Sequence, residues 1–201
     1  MATVPHATDQ RRVLLRYNDT AIALHWLTVV LILAQLYVGF TFADMPRGPQ
    51  QAQWFTWHKT IGATILVLSL IRLAWRLAHE PPPFPEDLPR WERIAAVWNH
   101  RIFYVLLIAL PLTGLATISA GHAGTTSLLG GVPLPLIPGV TEPAGDTLGG
   151  VHEALVFITI ALVVLHVAAA LKHQFVDRAR VAGRMPPFRT PGDEPVEPLG
   201  R

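Results

Sequence analysis

The chain has 201 residues, 51% of them hydrophobic and only 15% charged, and it contains no cysteine. An ordinary soluble domain carries charge on about a quarter of its residues, and a disordered chain is far less apolar. The missing cysteines exclude disulfides, thiolate-held iron–sulfur clusters and haem tethered through C-x-x-C-H, and the net charge of +2 gives no ground for a nucleic-acid partner.

Residues 1–19 form a polar, basic lead-in with Arg11, Arg12 and Arg16. The apolar stretch 20–42 that follows meets the roughly 20 residues a membrane helix needs. It is too long for a secretory leader and no A-x-A-like cleavage site follows, so it reads as an uncleaved first span. His25 lies near its start, and Gly39 comes fourteen residues later.

The second stretch, 58–77, is weaker, because Lys59, Arg72 and Arg76 leave only 60–71 uncharged. It reads as a span whose long cations snorkel or find partners. His58 opens it, Gly62 follows one turn later, and Arg72 comes after fourteen residues. Residues 80–91 (EPPPFPEDLPRW) read as a stiff turn.

The third span is expected over 102–120, with His100 just before it and Pro111 kinking it. Residues 121–150 are dense in Gly and Pro and include VPLPLIPGV; such a loop lies on the membrane surface or folds over a site. The fourth span, 151–171, holds His152 and His166. A polar, proline-rich tail ends the chain, and residues 176–201 are expected to be disordered. The resulting plan is a lead-in (1–19), a membrane domain (20–175) and a tail (176–201).

Basic residues set the orientation. Apart from Arg47 and Lys59, every Lys and Arg falls before the first span, around the connection between the second and third, or after the fourth. Cytoplasmic loops carry this excess, so both termini are expected in the cytoplasm. Trp54 and Trp57 then mark the outer boundary, and Trp75, Trp91 and Trp98 the inner one.

Orientation gives the histidines their meaning. His152 and His166 are fourteen residues apart, close to four helical turns, so they share one face about 21 Å apart along the axis. Two pairs then match in depth: His25 with His166 near the inner surface, and His58 with His152 near the outer. Any one of these imidazoles alone could simply bond a backbone carbonyl. Two matched pairs are better suited to hold two haems through axial ligation. Zinc is the competing ligand, but it wants three or four converging protein groups, and no Asp, Glu or Cys fitting that role accompanies either pair.

Neighbouring residues extend the pattern. Gly39 and Gly62 read either as room for a flat macrocycle or as ordinary close helix packing. Arg72 reads as a partner for haem propionates or as an interfacial anchor. Lys59 could meet propionates or draw in an anionic donor. His100 and His173 read as interfacial histidines, and Glu153 as a group supporting or titrating near the outer site.

Four segments, RYNDTAIALHW (16–26), HKTIGATILVLSLIRLAWRL (58–77), HRIFYVLLIALPLTGL (100–115) and HEALVFITIALVVLHVAAALKHQF (152–175), resemble the bacterial cytochrome b-561 family. The resemblance covers roughly residues 16–175 and is nearest to the small stand-alone members. It implies an all-α four-helix transmembrane bundle in the bacterial inner membrane, two noncovalent b-type haems, and His25, His58, His152 and His166 as their iron ligands. It also implies electron transfer across the membrane, to or from quinone, with superoxide as a periplasmic donor, as in a superoxide:ubiquinone oxidoreductase. Two other classes stand beside this: a haem-bearing anchor subunit of a dehydrogenase or hydrogenase, and a non-redox membrane protein whose histidines bind metal or shuttle protons.

Overall fold

The computed structural model describes residues 16–84, 88–176 and 184–185. Four long helices carry the fold: α1 (Asp19–Ala43), α2 (Pro49–Ala78), α3 (Arg90–Ser119) and α4 (Glu142–Leu171), the last running into a short π-helical turn, Lys172–Val176. All four are long and apolar enough to cross a membrane.

Three of the four helices start at a side-chain cap or a proline. Asn18 caps α1, its side chain accepting from the Ala21 amide at 2.8 Å, and Arg16 pairs with Asp19 at 2.9 Å. That is a sound N-terminus, with an orphan amide satisfied and an acid in the first turn. Proline opens α2 at Pro49 and lies at the second position of α4, where its missing N–H does no harm. Three helices therefore begin earlier than the apolar stretches: α2 at Pro49 rather than 58, α3 at Arg90 rather than 102, and α4 at Glu142 rather than 151. Their first turns (PQQAQWFTW, RWERIAAVWN, EPAGDTLGG) are polar enough to escape a hydropathy reading, yet nothing in them breaks a helix. As a result His58, His100 and His152 stand well inside their helices. The helix α3 continues through Pro111.

The bundle is apolar outside. Leu33, Val67, Val105 and Val164 are exposed, as lipid-facing side chains must be. Trp57, Trp91 and Trp98 are also exposed, at the helix ends where indole rings favour the membrane–water boundary. Inside, Val38, Ile65, Leu68, Leu106, Leu107 and Ala116 pack together with buried hydroxyls. Thr28, Ser119 and Thr159 satisfy theirs on the carbonyls of Leu24, Leu115 and Leu155 at 2.7, 2.7 and 2.8 Å. Sequential helices pack as antiparallel neighbours, and rings of α1 and α4 meet across the bundle, as in Phe40 and Phe157 with centroids 6.5 Å apart.

The connection between α3 and α4 is more ordered than its composition implies. Strands β1 (Thr125–Ser127) and β2 (Pro133–Pro135) form an antiparallel hairpin, closed by a turn with Gly130 and Gly131 at φ 73° and 77°. Three bonds fasten this segment to the bundle. Lys59 Nζ donates to Thr126 Oγ1 at 2.6 Å, the Leu129 amide to Thr60 Oγ1 at 2.9 Å, and the Ile137 amide to Ser119 Oγ at 3.0 Å. Beyond it, Gly145 of α4 lies so close to Ala120 that a Cβ there would overlap the alanine methyl.

The opposite end of the bundle holds Arg16, Arg72, Arg76, Arg90, Arg93, Arg101 and Lys172, and is called here the basic end. Of the expected tail, Val176, Arg184 and Met185 are described. Arg184 is buried, its guanidinium against the Tyr17 and Phe84 rings at 5.4 and 5.1 Å and bonded to the Pro82 carbonyl. Residues 177–183 and 186–201, and Pro85 to Asp87 of the proline-rich turn, lie outside the described residues, as does most of the lead-in.

Candidate functional site

Spacing along the helices becomes pairing across them. His58 of α2 meets His152 of α4 at the hairpin end, ring centroids 6.3 Å apart. At the basic end His25 of α1 meets His166 of α4, centroids 6.4 Å apart. The two rings of α4 are fourteen residues apart and serve one pair each.

The other contacts follow two antiparallel registers. Between α1 and α2, His25 meets Arg72, Gln35 meets Gly62, and Gly39 meets His58. Between α3 and α4, Asn99 and His100 lie on His166, while Thr113 and Gly114 lie on His152. Each helix thus repeats its site residues after fourteen positions. The expectations for Gly39, Gly62, Arg72 and Lys59 acquire definite partners. A Cβ on Gly39 would come within 3.2 Å of the His58 ring, and one on Gly62 within 3.2 Å of Gln35. Arg72 donates to His25 Nδ1 at 2.9 Å and lies over the Tyr104 ring. Lys59 holds the hairpin and lies 5.3 Å from the Phe55 ring centroid.

Four site residues were missed in the sequence: Gln35, Asn99, Thr113 and Gly114. Asn99 and Thr113 repeat the fourteen-residue interval, as do His100 and Gly114. That interval, applied to the third span, was the signal that could have found three of them.

The ring nitrogens show what the pairs can do. His152 Nδ1 lies 2.9 Å from the Leu110 carbonyl. A carbonyl only accepts, so the proton sits on Nδ1 and the Nε2 lone pair is free for a metal. At His166, Nδ1 faces the Asn99 amide at 3.0 Å, and Asn99 Oδ1 has no partner among the described residues. Turning that amide end for end makes Oδ1 the acceptor and leaves His166 Nε2 free as well. His58 Nδ1 is unpartnered among the described residues, and its Nε2 faces Gln35 at 3.2 Å. Arginine only donates, so His25 Nδ1 accepts from Arg72.

The spacing of both pairs would suit a haem held between two imidazoles, with His25 turning from Arg72 and His58 from Gln35 to present Nε2. Two metal–nitrogen bonds of about 2 Å, with about 1 Å of ring on each side, put the ring centroids about 6 Å apart. Both pairs stand at that separation. The hairpin-end pair lines a cavity of about 540 Å³ with Gly39, Gly62 and Gly114 in its walls, within the range of cofactor pockets. A second cavity of about 350 Å³ at the basic end is lined by Arg72, Trp75, Arg76, His100 and Tyr104; it lies beside the His25–His166 pair, and neither of those rings lines it. Among the described residues no group of three or more His, Cys, Asp or Glu converges as a tetrahedral metal site requires.

Four lipid-facing helices enclosing paired imidazoles are the architecture of a membrane electron carrier. The model of the prokaryotic cytochrome b561 family matches residues 16–187, and the chain belongs to that family. It is 29% identical to cytochrome b561 homolog 2 of Escherichia coli K12, over 85% of this chain and 90% of the relative. To the probable superoxide oxidase CybB of Yersinia pestis it is 29% identical, over 86% and 96%. Cytochrome b561 homolog 1 of Escherichia coli K12 is also 29% identical, over 87% and 98%. The chain is accordingly a multi-pass protein of the bacterial inner membrane that binds b-type haem and serves electron transfer with membrane-embedded redox partners.

Proposed function

We propose that the chain binds two noncovalent haem b groups, one between His25 and His166 and one between His58 and His152. The observation that carries this is the occurrence of two imidazole pairs with the same centroid separation, 6.4 and 6.3 Å, at opposite ends of one bundle. Haem held by these residues would supply reversible one-electron chemistry. The protein's part is to hold the rings, exclude water and shape access at each end.

Residues 20–175 then form the membrane domain, with the basic end and both termini in the cytoplasm. Electrons enter from a periplasmic donor at the hairpin end and leave to quinone within the membrane. Superoxide suits the donor role. One relative is named a probable superoxide oxidase, and Lys59, one of the few cations at that end, lies at the cavity margin. A positive group there attracts a small anion.

The test uses purified protein in quinone-containing liposomes. Superoxide generated outside is expected to reduce the haems and then the quinone. His166→Ala and His25→Ala are expected to remove one spectral component, and His152→Ala and His58→Ala the other. Loss of one common component in His25→Ala and His58→Ala would overturn the pairing. Haems reducible by dithionite but not by superoxide would overturn the donor assignment alone.

A further inference from the structure

Resting on the two-haem reading, we infer that the pair at the basic end is held at the higher reduction potential, with Arg72 making the difference. The wire then has a built-in direction from the hairpin end to the basic end.

The two ends differ in one ring partner, the guanidinium beside His25. At the hairpin end His152 Nδ1–H donates to a backbone carbonyl, that of Leu110, at 2.9 Å. Such a bond raises the basicity of the ring and its donation to iron, which favours the oxidised form. At the basic end His166 has a like partner in the Asn99 amide at 3.0 Å, and His25 adds a cation: Arg72 Nη2 lies 2.9 Å from its Nδ1. A guanidinium keeps its charge at every relevant pH. Taking up an electron removes one positive charge from the haem centre, so a fixed cation beside it favours the reduced form.

Among the described residues no cation is hydrogen-bonded to either ring of the hairpin-end pair. The hairpin-end cavity is lined by one cation and one anion, Lys59 and Glu153, and the Lys59 ammonium is turned to Thr126. At the basic end Arg72 and Arg76 line one cavity with Glu80, and Arg16 is already paired with Asp19. A neutral imidazole bound through Nε2 carries its proton on Nδ1, so Arg72 must then release that nitrogen. Tyr104, whose ring centroid is 5.9 Å from the guanidinium carbon, keeps the charge within the site. The effect needs the charge and not that one hydrogen bond. A single electron passing from the hairpin end to the basic end goes downhill, and no proton need accompany it.

Spectroscopic redox titration of the purified holoprotein tests this, with the two components assigned through His25→Ala and His58→Ala. In the parent the basic-end component is expected to titrate at the higher potential. Arg72→Gln is expected to lower that component's reduced-to-oxidised ratio at least tenfold at fixed ambient potential, about 59 mV for one electron. The other component should stay in place, a pyridine haemochrome assay should still count two haems, and Arg72→Lys should remain near the parent. A basic-end component at equal or lower potential in the parent would overturn the inference. So would Arg72→Gln shifting neither component or both alike, or Arg72→Lys falling as far as Arg72→Gln. Should Arg72→Gln lose a haem, the parent order and Arg72→Lys still decide. Loss of a common component in the two histidine variants overturns the two-pair reading itself, whereas a wrong order of two distinct components overturns this inference alone.

Discussion

Gly39 and Asn99 show how single residues shape the site without ligating anything. A Cβ at Gly39 would stand 3.2 Å from the His58 Cε1, tighter than ordinary packing. Gly39→Leu is expected to cost about 1–3 kcal/mol as an overpacked position and to abolish the hairpin-end haem signal, while Gly39→Ala retains it. Reduced-minus-oxidised spectra of the two variants check this, and an unchanged Leu variant would show that the ring has room. Asn99 acts at the other end, through His166 Nδ1 at 3.0 Å. Losing a ligand's outer partner weakens metal binding by about 10–100-fold. Asn99→Leu is therefore expected to weaken uptake of added haem by the apoprotein at the basic end only, read by spectral titration. The histidines themselves were legible in the sequence, because a polar ring in an apolar stretch demands a reason. Asn99 and Thr113 carry only their fourteen-residue spacing as a signal, since an amide or hydroxyl in a membrane helix is commonly satisfied on its own backbone, as Thr28 is on Leu24.

At the scale of elements, the apolar cores of all four helices were visible in composition. The polar first turns of α2, α3 and α4 were not, because hydropathy measures the membrane and not the helix. The hairpin was hidden for a different reason: β1 and β2 have three residues each, and β2 is PLP, a pattern with little strand propensity. What holds it is tertiary, through Lys59, Thr60 and Ser119. Two predictions belong here. Gly145→Ala forces a methyl against Ala120 and is expected to lower the melting temperature, with Ala120→Gly in the same chain restoring it; no change in melting would mean the helices separate freely there. At the hairpin, Lys59→Glu is expected to slow haem reduction by superoxide, and Thr126→Val to leave it salt-dependent, since only the former removes the charge. Screening shortens the reach of that charge to about 10 Å at 0.1 M salt. Stopped-flow reduction at low and high salt reads both variants. Equal rates for Lys59→Glu and the parent, with no salt dependence in either, would end the steering role while leaving the haem sites standing.

Over the whole molecule, one interval organises four helices. Placing α1 against α2 and α3 against α4 in antiparallel register brings each histidine a partner: Arg72 for His25, Gly39 for His58, Thr113 for His152 and Asn99 for His166. The same repeat sets two imidazole pairs at opposite ends, and two ends are what a path across a membrane requires. The most direct test is the amount of haem per chain, by pyridine haemochrome against protein concentration, after extraction with acidic acetone. Two b-type haems per chain, both extracted because no cysteine tethers them, are expected. One haem per chain, or haem that stays with the protein, would contradict the two-pair account.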